Sequence, residues 1–131
     1  MIQRDYLLRQ MEVFFKALDE RFRGKNKNEY EDISVILNEF YSTYFHIDRE
    51  KITGEGEQII SHCILYEPVE KAEMLSELIF KDAVFTVDTR RKNCLFRLVL
   101  KLYDSIECRS KTYSSRREKK RRKITDFLSG N

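Results

Sequence analysis

Ala83-Val84-Phe85-Thr86-Val87 is the stretch on which the fold turns, because its β-branched and aromatic residues would make it a strand on propensity alone. A strand needs a partner for its backbone donors and acceptors, and no second stretch of this kind lies near it. The chain of 131 residues also holds only four Gly and one Pro, too few for the many tight turns of an all-β protein. The segment therefore reads as the end of one helix and the turn into the next, and the chain as all-α.

Helical periodicity spreads from there in both directions. Upstream, Pro68 suits the first turn of a fourth helix, where a missing N–H costs little. Ala72, Leu75, Leu78, Ile79 and Phe85 form the inner face of that helix. Downstream, Asp88 or Thr89 caps a fifth helix with Leu95, Leu98, Val99, Leu102 and Ile106 as its buried stripe. Ile59, Ile60, Cys63 and Ile64 mark a short third helix, preceded by a loop from His46 to Gly56 that Gly54 and Gly56 loosen. Tyr30, Ile33, Ile36, Leu37, Phe40, Tyr41, Tyr44 and Phe45 make the second helix. The first carries Ile2, Tyr6, Leu7, Met11, Phe14, Phe15, Leu18 and Phe22 and stops at Gly24. Ser114 or Ser115 caps a sixth, short and very basic helix that frays near Gly130. Short connections between helices of this length favour antiparallel neighbours. The expected fold is five to six antiparallel helices in hairpins, a tetratricopeptide-like short solenoid or a bundle, although spacing alone yields no clean repeat.

The charge is divided unevenly. Residues 109–131 hold nine Lys/Arg against two Asp/Glu, whereas residues 1–108 hold sixteen against twenty. An acidic helical-hairpin body, 1–110, is thus followed by a basic C-terminal helix or tail, 111–131. Arg116, Arg117, Lys119, Lys120, Arg121, Arg122 and Lys123 are candidate contacts to the phosphates of a nucleic acid, which would make binding fall steeply with salt. The competing expectation is a helix whose cations pair with the acidic body. Its Ile124, Phe127 and Leu128, at i, i+3 and i+4, would then dock. A third reading sets the run on anionic lipid, with Phe127 and Leu128 as a shallow anchor. Residues 124–128 are also similar to peptides that plug into sliding clamps, except that Arg121 stands where those place Gln and Leu128 where they place a second aromatic.

Little points to catalysis. His46, His62, Cys63, Cys94 and Cys108 show no CxxC or HxxxH spacing, so neither a metal nor another cofactor is expected. Cys63 and Cys94 fall on apolar stripes, where a thiol acts as a small hydrophobe. An odd number of cysteines without a close pair fits a reducing cytoplasm. No apolar run approaches the roughly 20 residues of a membrane span, and the opening residues lack the pattern of a signal peptide. Glu70, Glu73 and Glu77 share one face of the fourth helix without a His at di-metal spacing. They read as a solvated charged face, with Lys81 following Glu77 at i+4. No Gly-rich phosphate loop, nucleophile elbow or Ser/His/Asp cluster is visible, and the chain is not expected to be an enzyme.

The surplus of aromatics gives the positive expectation. Tyr30, Tyr41 and Tyr44 crowd the second helix over more than one face. Those outside the core could line a groove for a peptide or a partner helix, since Tyr tolerates half-exposure and anchors interfaces.

Met1-Ile2-Gln3-Arg4-Asp5-Tyr6-Leu7-Leu8-Arg9-Gln10, followed by Phe14 and Ala17-Leu18, resembles the opening helix of an uncharacterised family of small bacterial proteins with this "MIQRDY" start. Residues 28–33, running on to Tyr44, Phe45 and Asp48, resemble the helix that such proteins place next. The resemblance implies an all-helical, tetratricopeptide-like cytoplasmic fold, and it carries over no functional residue. Together these readings lead to a non-enzymatic helical interaction module, a scaffold or adaptor for a protein, a peptide or a second copy. The alternative is a nucleic-acid-binding accessory protein that acts through the basic tail.

Overall fold

Segment 83–87 closes a helix in the computed structural model of the chain: the helix runs to Phe85, and Thr86 and Val87 turn into Asp88. The structure describes residues 2–111 and 114–130, without the side chains of residues 2–4, 27 and 30. Among them are six α-helices and no strand: α1 Ile2–Phe22, α2 Tyr30–Phe45, α3 Gly56–Tyr66, α4 Val69–Phe85, α5 Thr89–Ser110 and α6 Ser115–Leu128.

The helix ends follow local chemistry. Gly24, after α1, takes the left-handed conformation (φ +76°) that costs glycine nothing. His46 takes it too (φ 56°), and its N–H returns to the Ser42 carbonyl at 3.1 Å to close α2. Of the two cap candidates for α5, Asp88 serves, accepting from the Arg91 N–H at 3.3 Å. Of the two for α6, Ser114 serves, accepting from the Arg117 N–H at 3.2 Å.

α4 is the hub. α1, α2, α3 and α5 all pack against it, α5 along most of its length, and α6 reaches it through side chains of its first two turns. Every residue from Met74 to Phe80 is buried. Its apolar side chains, Leu75, Leu78 and Ile79, are each worth about 1.5–3 kcal/mol of burial. An all-helical bundle wrapped on a central helix is the result.

One expectation is overturned here. The Glu70–Glu73–Glu77 face of α4 is not solvated: Glu70 and Glu77 are buried and Glu73 is half-buried. For Glu73 and Glu77 α6 accounts for this, because its cations bring their own charge to that face and allow it to close. Glu77 pairs with Lys120 and Arg116 rather than with Lys81, whose ammonium sits over the Phe22 ring, 5.7 Å from its centroid.

The 46–56 loop is also more ordered than its glycines suggest. Asp48 caps a short 3₁₀ turn, Arg49–Lys51, and Ile52 is fully buried. Gly56 opens α3 as a contact residue: a Cβ there would stand 2.7 Å from Leu98 Cδ1. Its missing side chain lets the start of α3 lie directly on α5.

Candidate functional site

The three tyrosines of α2 have three different fates. Tyr41 is not a surface anchor, which corrects the sequence-based expectation: it is fully buried and its hydroxyl donates to Asp82 Oδ2 at 2.9 Å. Burial, and then the neighbouring Asp82 charge, push its phenol well above the usual range. The side chain of Tyr30 lies outside the described residues. Tyr44 is half-buried, stacked on Phe40 with ring centroids 5.5 Å apart, and one edge lines an open groove.

Tyr41 belongs to a buried polar knot that periodicity could not reveal. Asp82, fully buried, accepts from Arg49 Nη2 at 2.9 Å and Nε at 3.2 Å. Arg91 Nη2 reaches Oδ2 at 3.3 Å, and the Thr86 hydroxyl donates to the Asp82 carbonyl at 2.7 Å. Arg49 Nη1 also donates to Ser34 Oγ at 3.1 Å. One carboxylate therefore joins α2, the 3₁₀ turn, α4 and α5. A buried anion held by two guanidiniums and a phenol serves architecture, since its lone pairs are occupied.

The basic run is docked. Ile124 is fully buried, with Phe127 and Leu128 half-buried beside it. Arg117 is buried and reaches Glu73 at 3.1 Å and Glu107 at 3.6 Å. Arg121 reaches Asp104 at 3.0 Å and Glu107 at 2.7 Å. Arg116 lies 3.4 Å from Glu77 with its guanidinium over Phe15, and Lys120 pairs with the same carboxylate above the ring of Phe80. Burial pulls Lys120 below the usual ammonium range, against the opposing pull of Glu77. Four of the seven candidate phosphate contacts thus face carboxylates of the body, while Lys119, Arg122 and Lys123 face solvent.

A groove between the end of α2 and α3 is the better candidate. Its volume is about 430 Å³. Half-buried Phe45 and Ile59 and buried Cys63 and Leu75 make its apolar floor. Lys71 braces one wall, donating to the Tyr44 carbonyl at 2.9 Å while its ammonium lies 5.3 Å from the centroid of Phe45. His46 and His62, the only two histidines of the chain, stand exposed at its mouth. Burial, and then Glu67, push the Cys63 thiol up to about 11, so that it stays protonated and apolar at neutral pH.

The apolar surface continues past the groove. Tyr66 and Leu65 are 73% and 71% exposed. Gln58, His62 and Leu65, and Ile59, His62 and Tyr66, follow helical spacing, so all five share the face of α3 that borders the groove. The ring of Tyr66 lies 5.0 Å from that of His62. Sequence reading put weight on Tyr44, which the structure places on the lining of the groove, and gave none to Leu65 and Tyr66, whose only signal was two large apolar residues at the end of a short helix.

Among the described residues no group of three His, Cys, Asp or Glu side chains is placed to hold a metal, and no helix is long and apolar enough to cross a membrane. No family model, curated protein or solved structure matches this chain.

Proposed function

We propose that the chain is a non-enzymatic helical interaction module, a scaffold or adaptor, that binds a protein partner through the α2–α3 groove and the adjoining Leu65 and Tyr66. The observation that carries this reading is the exposure of two large apolar side chains beside an apolar-floored groove. Isolated exposed apolar residues are ordinary, whereas a contiguous patch rimmed by polar groups marks a contact surface. Tyr66 and His62 suit the purpose, because each presents a rigid ring with a polar handle. The groove is wide enough for one aromatic or aliphatic anchor of a partner segment, as in helix-in-groove recognition. Hairpins such as α4–α5 are also the unit of tetratricopeptide-like scaffolds, and the three free thiols fit a reducing, cytoplasmic setting.

A random-peptide display selection tests the reading. Enriched peptides should carry an aromatic or aliphatic anchor and should bind the wild type at least tenfold more tightly than Ile59→Glu or Leu65→Glu. Failure to enrich any peptide, or equal binding to both variants, would remove the groove from consideration.

A further inference from the structure

A second cavity, of about 640 Å³, lies on the other side of α3, between the segment that leads into it and the first half of α5. Thr53, Gly54 and Gly56 line one wall. Arg90, Asn93, Cys94 and Arg97 line the other, at i, i+3, i+4 and i+7, and so project from a single face of α5. Leu98 lies between the walls, where the absence of a Cβ on Gly56 lets the two helices close.

Arg90, on this wall, stands in the first turn of α5, where the helix dipole mildly disfavours an exposed cation. α5 begins Thr89-Arg90-Arg91-Lys92 and has no acidic residue in its first turn, the reverse of what the helix dipole favours. The fold compensates Arg91 with Asp82, and Lys92 with the faces of Phe96 and Phe127. Arg90 has no carboxylate partner among the described residues, and neither has Arg97. The one acid on the lining, Glu57, is paired with Lys101. Two uncompensated guanidiniums about two helical turns apart therefore flank Asn93 on one wall of a ligand-sized cavity.

We infer that this cavity is a binding site for a phosphorylated small molecule of about nucleotide size, with Arg90 and Arg97 holding its phosphate. A guanidinium presents paired donors that match a phosphate oxygen edge, and two of them balance its double charge. The Asn93 amide and the Thr53 hydroxyl supply further polar contacts, and the half-buried Cys94 side chain offers apolar surface to the organic part. This site is separate from the α2–α3 groove and does not rest on the function proposed for it.

Calorimetric titration of the full chain tests the inference with four probes: a nucleoside monophosphate, its unphosphorylated nucleoside, inorganic phosphate, and a single-stranded oligonucleotide without terminal phosphates. The monophosphate should bind, at least tenfold more tightly than the nucleoside and more tightly than inorganic phosphate. Arg90→Gln and Arg97→Gln should each weaken it at least tenfold, with helicity and thermal unfolding unchanged because both side chains are exposed. Arg122→Gln, on the solvent face of α6, should leave it as it was. No binding of the monophosphate would overturn the inference. So would equal loss in Arg122→Gln, which would mean diffuse attraction, or tighter binding of the oligonucleotide than of the monophosphate.

Discussion

Arg117 of α6 and Glu73 of α4 are 44 residues apart in sequence and 3.1 Å apart in the fold. That contact, with Lys120 to Glu77 and Arg121 to Glu107, fastens the most basic segment of the chain to acids of the central helix α4 and of α5. The charge asymmetry of the sequence is therefore satisfied in part within the molecule. Ile124, Phe127 and Leu128 also pack on the core, so ion pairs and a short apolar stripe share the attachment of α6.

Reversing two of the acids should free the helix. Glu73→Lys with Glu77→Lys sets like charges against Arg116, Arg117 and Lys120. Trypsin should then cut between residues 116 and 123 at least tenfold faster, while α1–α5 stay folded by circular dichroism. Raising salt should accelerate cleavage of the wild type in the same direction, by screening the exposed pairs. Unchanged cleavage in the double variant would mean that Ile124 and its neighbours suffice to hold α6.

The buried knot around Asp82 should be far more sensitive than any surface pair. Asp82→Ala strands the Arg49 and Arg91 guanidiniums and the Tyr41 hydroxyl, and should cost about 3–5 kcal/mol in chemical denaturation. Tyr41→Phe removes one hydrogen bond while Asp82 keeps its arginines, and should cost about 1–2 kcal/mol. Similar losses in both variants would show that the ion pairs contribute little.

The thiols should separate by environment. Cys108 is exposed and should react with a maleimide within minutes at pH 7, whereas buried Cys63 should react only on unfolding. The Cys63 thiol is raised from 9.0 to about 11 in the folded chain, so its protonated form is the one that folding favours. Its contribution is fully present below pH 9 and is lost as pH rises towards 11. Cys63→Ala should therefore show a smaller drop in melting temperature between pH 8 and pH 10.5 than the wild type. An equal drop would place the alkaline loss elsewhere, in Tyr41 or Tyr103, whose phenols burial also raises.

The helices were legible because each is a local pattern. The stripe from Tyr30 to Phe45, the Asp88 and Ser114 caps and the stop at Gly24 depend on neighbours within a few residues. What escaped depends on residues far along the chain. Glu77 looks like a surface acid until Lys120 is set upon it, and Tyr41 looks like an interface anchor until Asp82, 41 residues away, takes its hydroxyl. The candidate groove was half legible. Tyr44 could be read as a half-exposed aromatic, but His46, at the end of α2, meets His62 of α3 at a single mouth only through the fold of the 46–56 loop.

Those two imidazoles supply the most direct test of the proposed interaction surface. They are the only histidines in the chain, and both line the groove, so their side-chain NMR signals report its occupancy. On titration with a display-selected peptide, both signals should shift and saturate together, with Tyr66 and Leu65 moving in step. A peptide that binds while both imidazole signals stay fixed, with the shifts confined to α6, would contradict the account.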